Sequence, residues 1–258
     1  NLDIKSKNGV LITNGSLLGD ALAFKSNLGI LKGKEENSFL RGRINVLDIK
    51  DFISIVSAHN SNDESFEGKI LGDFSANFNL YDPLRLTSEI SFDEFVLKRE
   101  GKNFSIQDRK SKIKIVNGKI SRWNLKIGDN EEFFHSLGKG RLSGEFEVEN
   151  VFKFDSSWSE VLSSKIKVES GIIEGRNVLN RRKGLFKTAL DLKGKDINFT
   201  IDDIPGRFEN LNVYLLGENE DFLIQKFNLK YGKGDVSLGG TIKLNLPYPE
   251  IDIGYNIS

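Results

Sequence analysis

The stretch from Asp221 to Ile253, DFLIQKFNLKYGKGDVSLGGTIKLNLPYPEIDI, decides the fold. Phe227, Leu229 and Tyr231 alternate with polar neighbours. After a glycine-bearing break, Val236, Leu238, Ile242, Leu244 and Leu246 take up the same beat. A period of two is that of a β-strand, whose successive side chains point to opposite faces, whereas a helix would repeat at about 3.6. One face is then apolar and the other wet. That marks antiparallel sheet rather than a parallel sheet buried on both sides.

The beat runs outward through the whole chain. Leu2 with Ile4 and Val10 with Ile12 open it, and a longer run follows through Phe66, Ile70, Phe74, Phe78 and Leu80. Leu84, Leu86, Ile90 and Phe92 come next, then Ile113 with Ile115, then Trp123, Leu125 and Ile127, then Leu142, Phe146 and Val148. The last third adds Leu190, Leu192, Ile197, Phe199 and Ile201, then Leu211, Val213 and Leu215; Ile251, Ile253, Tyr255 and Ile257 close the chain. These runs predict roughly 16 to 20 strands.

Turn chemistry separates the runs. Asn8-Gly9, Asn14-Gly15 and Asn117-Gly118 suit type I′ hairpin turns, because both central residues accept positive φ. Asp82-Pro83 and Pro205-Gly206 mark further turns. Glycines inside the beat, at Gly68, Gly72, Gly144 and Gly240, predict bulges or bends. Two windows break the beat. Asp48 to Ser57 places Ile49, Phe52, Ile53 and Val56 at helical spacing, and Ser157 to Ser164 begins with Ser157 and Glu160 arranged as a capping box. Each predicts a short helix over an end or edge of the sheet. No linker rich in Pro, Gly or Ser divides the chain, which predicts one continuous elongated domain over residues 1–258.

A second segment repeats the opening cadence. Ile115 to Asn150 reads IVNGKISRWNLKIGDNEEFFHSLGKGRLSGEFEVEN. In both segments a strand ends on apolar residues and a glycine, at Leu125, Ile127 and Gly128 or at Leu229, Tyr231 and Gly232. A loop follows, and then a strand of the form Gly-x-apolar-x-Gly-x-apolar. It is carried by Gly140, Leu142, Gly144 and Phe146 in one copy, and by Gly234, Val236, Leu238, Gly240 and Ile242 in the other.

This cadence resembles that of the TamB-like translocation and assembly module family and its AsmA-like relatives, as do Pro247-x-Pro249 and the Ile251-Asp252-Ile253 that follows. The resemblance extends over nearly the whole chain in style and is sharpest in these two segments; it includes no catalytic motif. It implies a β-taco-like fold, a long, curled, mainly antiparallel sheet forming a trough with an apolar interior. It also implies a parent chain anchored in the inner membrane of a diderm bacterium and crossing the periplasm. Such a chain moves phospholipid to the outer membrane and supports protein assembly there, with an outer-membrane β-barrel partner met through regions outside this segment. The chain starts at Asn1 without methionine or a signal segment, and neither an anchor helix nor a partner-contacting segment is recognisable in it. The expectation is an interior piece of a longer protein.

The residues support a lipid trough independently of the family. An apolar sheet face must be covered by a second sheet, by closure into a barrel, by helices, or by an apolar ligand. Helical patterns are nearly absent. Nineteen phenylalanines stand against two tryptophans and five tyrosines, so the walls offer few hydrogen-bonding handles. An acyl chain gains about 0.8 kcal/mol per buried CH₂, so area alone can hold it. The groove is expected to be lined by Phe74, Phe78, Ile90, Phe92, Ile113, Ile115, Leu125, Ile127, Leu142, Phe146, Val148, Leu190, Leu192, Phe199, Leu211, Val213, Leu215, Phe227, Leu229, Val236, Leu238, Ile242 and Leu244. For any single phenylalanine the plainer reading is the dry core of a β-sandwich or solenoid. For the face as a whole, the missing helices favour the open trough.

Composition narrows the alternatives. Lys and Arg total 37, as do Asp and Glu, and the zero net charge predicts no nucleic-acid partner. The clusters Arg181-Arg182-Lys183 and Arg109-Lys110 with Lys112 read as solvated loops. There is no cysteine, which excludes disulfides and thiol chemistry. His59 and His135 are the only histidines, and no metalloprotease, phosphate-loop or nucleophile-elbow motif occurs. Asp63-Glu64 and Asp129 to Glu132 read as solvated loops rather than a calcium or carboxylate site. No catalytic residue, metal or cofactor is therefore expected, and the chain reads as a non-enzyme. Two other readings stay open. One is a structural or adhesive β-repeat, such as an autotransporter-like solenoid with a dry core. The other is a carbohydrate-active solenoid. The hairpin turns and antiparallel cadence weigh against the first, and against the second no pattern places two carboxylates on one face at the separation a glycosidase needs.

Overall fold

A computed structural model describes residues 2–17, 20–31, 38–48, 66–99, 102–106, 111–158, 165–244 and 250–258. Among these the protein is all-β: 17 strands and no α-helix. The chain divides into two compact units, Asn1–Asp129 with His135–Glu147, and Asn130–Phe134 with Val148–Ser258.

In the first unit, β1 (Leu2–Lys7), β2 (Val10–Leu17), β3 (Leu22–Gly29), β4 (Ser38–Val46), β5 (Phe66–Asn79) and β6 (Asp82–Arg99) pair antiparallel in chain order. The long β6 then takes β7 (Lys102–Ser105) along Val96–Arg99 and β8 (Lys112–Val116) along Ser88–Ser91. β9 (Lys119–Gly128) pairs with β8 and with β10 (Phe133–Gly140). In the second unit, β11 (Phe146–Asp155, from Val148 onward) precedes β12 (Ile166–Arg182), β13 (Leu185–Ile201), β14 (Ile204–Glu218), β15 (Asp221–Tyr231), β16 (Gly234–Lys243) and β17 (Glu250–Ile257). From β12 to β17 each strand pairs antiparallel with the next.

Three of the expected turns move. Asn8-Gly9 (φ 50° and 75°) and Asn117-Gly118 (47° and 72°) are hairpin turns as expected, with both central residues at positive φ. Asn14-Gly15 instead lies inside β2, where Asn14 pairs with Asp3 on one side and Lys25 on the other. The chain reverses only after Leu17, with Asp20 at φ 74°. Asp82-Pro83 opens β6, because the turn falls two residues earlier at Leu80-Tyr81, and the Tyr81 N–H donates to Asn79 Oδ1 at 2.8 Å. Pro205-Gly206 likewise lies in β14, the turn being Asp202-Asp203. In both strands proline is the second residue, an end position where a missing N–H costs little.

The first copy of the repeat is also corrected. β10 ends at Gly140, residues 142–144 turn, and β11 starts at Phe146, so Gly140 to Phe146 is not one strand. The Arg141 N–H donates to the Glu145 carbonyl at 2.8 Å, and the Gly144 N–H to the Arg141 carbonyl at 3.0 Å. In the second copy Gly234–Lys243 runs unbroken as β16. Of the expected helices, Ser156–Trp158 forms a single 3₁₀ turn, with Asp155 Oδ1 accepting from the Ser157 N–H at 2.9 Å. Residues 159–164 lie outside the described residues, and so do 49–57, Arg109-Lys110, His59, Asp63-Glu64 and Pro247-x-Pro249.

Candidate functional site: the apolar sheet faces

In an antiparallel ladder directly opposed residues share a face, so the register shows which side chains meet. In the second unit Leu192, Leu215, Ile224, Gly240 and Ile253 form one row across five strands. Val213, Phe227, Leu238 and Tyr255 form the next row. Ile197 faces Leu211, and Leu229 faces Val236, which faces Ile257. Leu190, Gly217, Phe222, Ile242 and Ile251 make a further row. At the far end Phe199, Phe208 and Tyr231 stack in sequence, with ring centroids 4.8 and 4.7 Å apart. The expected groove residues of β13 to β16 therefore share one face. Leu244 follows β16 and is exposed.

In the first unit the register again places Phe74, Phe78, Ile90, Phe92, Ile113 and Ile115 on one face. Phe74, Ile90, Ile113 and Trp123 form a row, which Gly42 and Phe24 extend on the other side. Gly72 faces Phe92, and Phe78 faces Ser38. Leu125 and Ile127 share the side of Trp123 on β9 by alternation. The Phe92 and Phe95 rings meet edge to face at 6.3 Å. Leu142 stands in the turn after β10 and is tied to Gly118 by its N–H.

Sequence reading missed Phe208, Phe222 and Ile224 as members of the face, and a signal for them exists. In β15 the apolar positions are even at Phe222 and Ile224 but odd at Phe227, Leu229 and Tyr231. The register slips between these sets, so Gln225-Lys226 is a bulge that returns both to one side. The same switch occurs in β13 between Leu192 and Ile197, across Lys195-Asp196, and in β14 between Phe208 and Leu211, at Asn210. Asp196 (φ 50°) and Asn210 (φ 52°) take the left-handed conformation there. Short polar residues tolerate it better than others do, and the backbone there is tied down: Asn198 Oδ1 accepts from the Asn210 N–H at 2.9 Å. In β6 the switch from Phe92 to Phe95 marks a bulge opposite Leu71 and Gly72.

Burial separates a sealed core from an open face. Of the expected groove residues, Ile115, Ile127 and Val148 are buried, Leu244 is exposed, and all the others are half-buried. Polar groups are few on this side: in the second unit Asn150 donates to Asn177, beside Leu190.

The opposite faces carry the charges. Glu89 on β6 accepts from Lys112 and Lys114 on β8 at 3.1 and 3.0 Å. Those two ammonium groups hold its carboxyl below the usual carboxylate range. The Lys195 ammonium, 2.7 Å away, does the same for Glu174. A cavity of about 500 Å³ also lies on this side in the second unit. Arg176, Asp191, Leu216, Leu223 and Thr241, one cross-strand row of the wet face, line it. Leu190, Gly217 and Phe222 of the neighbouring apolar row also contribute to its lining. Among the described residues, no three acidic or histidine side chains are grouped to hold a metal. Glu132 accepts from Trp158 Nε1 at 2.8 Å, and His135 Nε2 lies 2.9 Å from Asn124 Oδ1, so both join structural contacts. No family model matches the chain, and neither does any curated protein or solved structure.

Proposed function

We propose that the apolar sheet faces hold phospholipid acyl chains, and that the chain is a non-enzymatic segment of an envelope-spanning lipid bridge. In this reading it works in the periplasm of a diderm bacterium, as part of a protein anchored in the inner membrane that supports lipid delivery and protein assembly at the outer membrane. One observation carries the proposal. The aligned apolar rows are left mostly half-buried on β13 to β16 and mostly exposed on β17, at Ile251, Tyr255 and Ile257, with no second sheet or helix described in their unit to cover them. A sealed sandwich core would bury most of these side chains. Every uncovered CH₂ of the wall favours hydrocarbon over water, and a wall of Leu, Ile, Val and Phe asks for no polar group in return. The antiparallel hairpins weigh against a parallel adhesive solenoid.

The test uses photo-crosslinkers placed by register. Phe227 and Leu238 face each other on the apolar side, and Asn228 and Ser237 do so on the wet side. Crosslinkers at the first pair are expected to capture phospholipid, and those at the second are not. Equal labelling of both pairs refutes the groove. Leu238→Asp is expected to abolish capture at Phe227 while the far-UV circular dichroism stays that of a β-sheet.

A further inference from the structure

The β12–β13 hairpin ends unlike its neighbours. Its last pair is Arg182 with Leu185, closed by Lys183-Gly184 at φ 50° and 81°. β14 begins to pair at Ala189, and Asn219 beyond it reaches only to Thr188, so Lys183 to Lys187 extend past that strand. At the tip Leu185 and Phe186 are 67% and 63% exposed, and a Cβ on Gly184 would meet nothing within 4 Å. Arg181, Arg182, Lys183 and Lys187 surround them, with no carboxylate between Asn177 and Leu190. The Arg181 guanidinium lies over the Phe186 ring, 5.5 Å from its centre. The turns at Asn8-Gly9, Asn117-Gly118 and Asn219-Glu220 are polar. Leu80-Tyr81 is apolar but is followed by Asp82 and has no basic collar. The basic cluster is thus a solvated hairpin end, as expected, and it also carries two exposed hydrophobic side chains.

We propose that this tip docks on an anionic bilayer surface. Leu185 and Phe186 enter the boundary between headgroups and acyl chains, and the four cations meet lipid phosphates. Isolated surface hydrophobics are common, but two adjacent ones at a projecting tip inside a basic collar match an anionic membrane in both terms. A nucleic acid would use the cations and leave Leu185 in water. A neutral apolar protein patch would use Leu185 and Phe186 and strand the charges. Each cation near an anionic surface changes binding by about fivefold. The inference uses none of the proposed groove residues and does not depend on them.

The experiment sediments the full chain with vesicles of phosphatidylcholine alone or of phosphatidylcholine containing one-third phosphatidylglycerol. Binding is expected only with the anionic lipid and is expected to weaken as salt rises. The double variant Leu185→Ser with Phe186→Ser, and separately the triple variant Arg182→Gln, Lys183→Gln and Lys187→Gln, should each weaken it by at least about tenfold. These positions are exposed, and unchanged near- and far-UV circular dichroism verifies that the variants are folded. Phe186→Trp should shift its emission to the blue on anionic vesicles and not on phosphatidylcholine. Equal binding to both vesicles, no effect of either variant set, or retention of duplex DNA without vesicle binding overturns the proposal. Lipid capture at Leu238 in the tip variants reads the groove separately.

Discussion

Gly118 and Gly144 both sit in turns of the first unit, yet a methyl group meets very different surroundings at each. At Gly118 (φ 72°) an added Cβ would lie 2.1 Å from the Leu84 carbonyl oxygen, while at Gly144 the nearest atom, the Arg141 carbonyl oxygen, is 4.0 Å away. A β-carbon at left-handed φ costs about 1–2 kcal/mol before any clash. Gly118→Ala is therefore expected to lower stability by at least that amount in urea unfolding, and Gly144→Ala to fall within about 0.5 kcal/mol of the parent. Equal effects would mean that the Asn117-Gly118 turn is not the one described. Gly240 in β16 resembles Gly118: at φ 151° its Cβ would stand 2.1 Å from the Asp252 carbonyl oxygen on β17.

Between elements, the wet-face charges tie strands together in a way that pH can read. Glu89 links β6 to β8 through Lys112 and Lys114, and these partners lower its pKa in the folded protein. A lowered carboxyl pKa contributes stability that is present above the unfolded value, about 4.3, and is lost as pH falls through the folded value. Glu89→Gln should therefore be less stable than the parent at neutral pH, and the gap should close in acid. The side chain is about one-third exposed and screened by water, so the gap is expected to stay below about 1 kcal/mol. A gap that persists at pH 3 would show that the link is not ionic. The bulges act on the same scale. Each one shifts the parity of a strand and bends it locally, and each keeps the apolar side chains on a single face.

At the scale of the whole molecule, each unit presents an apolar face that is half-buried rather than sealed. Folded protein should therefore enhance the fluorescence of a hydrophobic dye such as ANS while keeping its near-UV circular dichroism, which a molten globule would lose. Oleate should displace the dye. Native protein that leaves the dye dark would mean that the rows are closed to ligands, whatever their register. Among the described residues no helix is long and apolar enough to cross a membrane. The membrane contact proposed for the Leu185-Phe186 tip is a surface one.

Alternation by itself determined that this chain is antiparallel β and which residues share a face between bulges, because a pleated backbone sends neighbouring side chains to opposite sides, while the pairing register showed how the bulges of β6, β13, β14 and β15 keep one face. It also determined the Asn-Gly turns at Asn8 and Asn117, where local φ preference is enough. Tertiary structure decided what local chemistry leaves free. Asn14-Gly15 became strand because Asp3 and Lys25 bond it from both sides. Gly140 to Phe146 folded into a turn although its pattern matches that of β16. Leu185 and Phe186 adjoin the basic cluster in sequence, but that they stand exposed beyond the first β14 pair at Ala189 was decided by the pairing. A face made of many strands, and the absence of a layer over it, are properties of pairing at a distance, which a run of alternating residues does not encode.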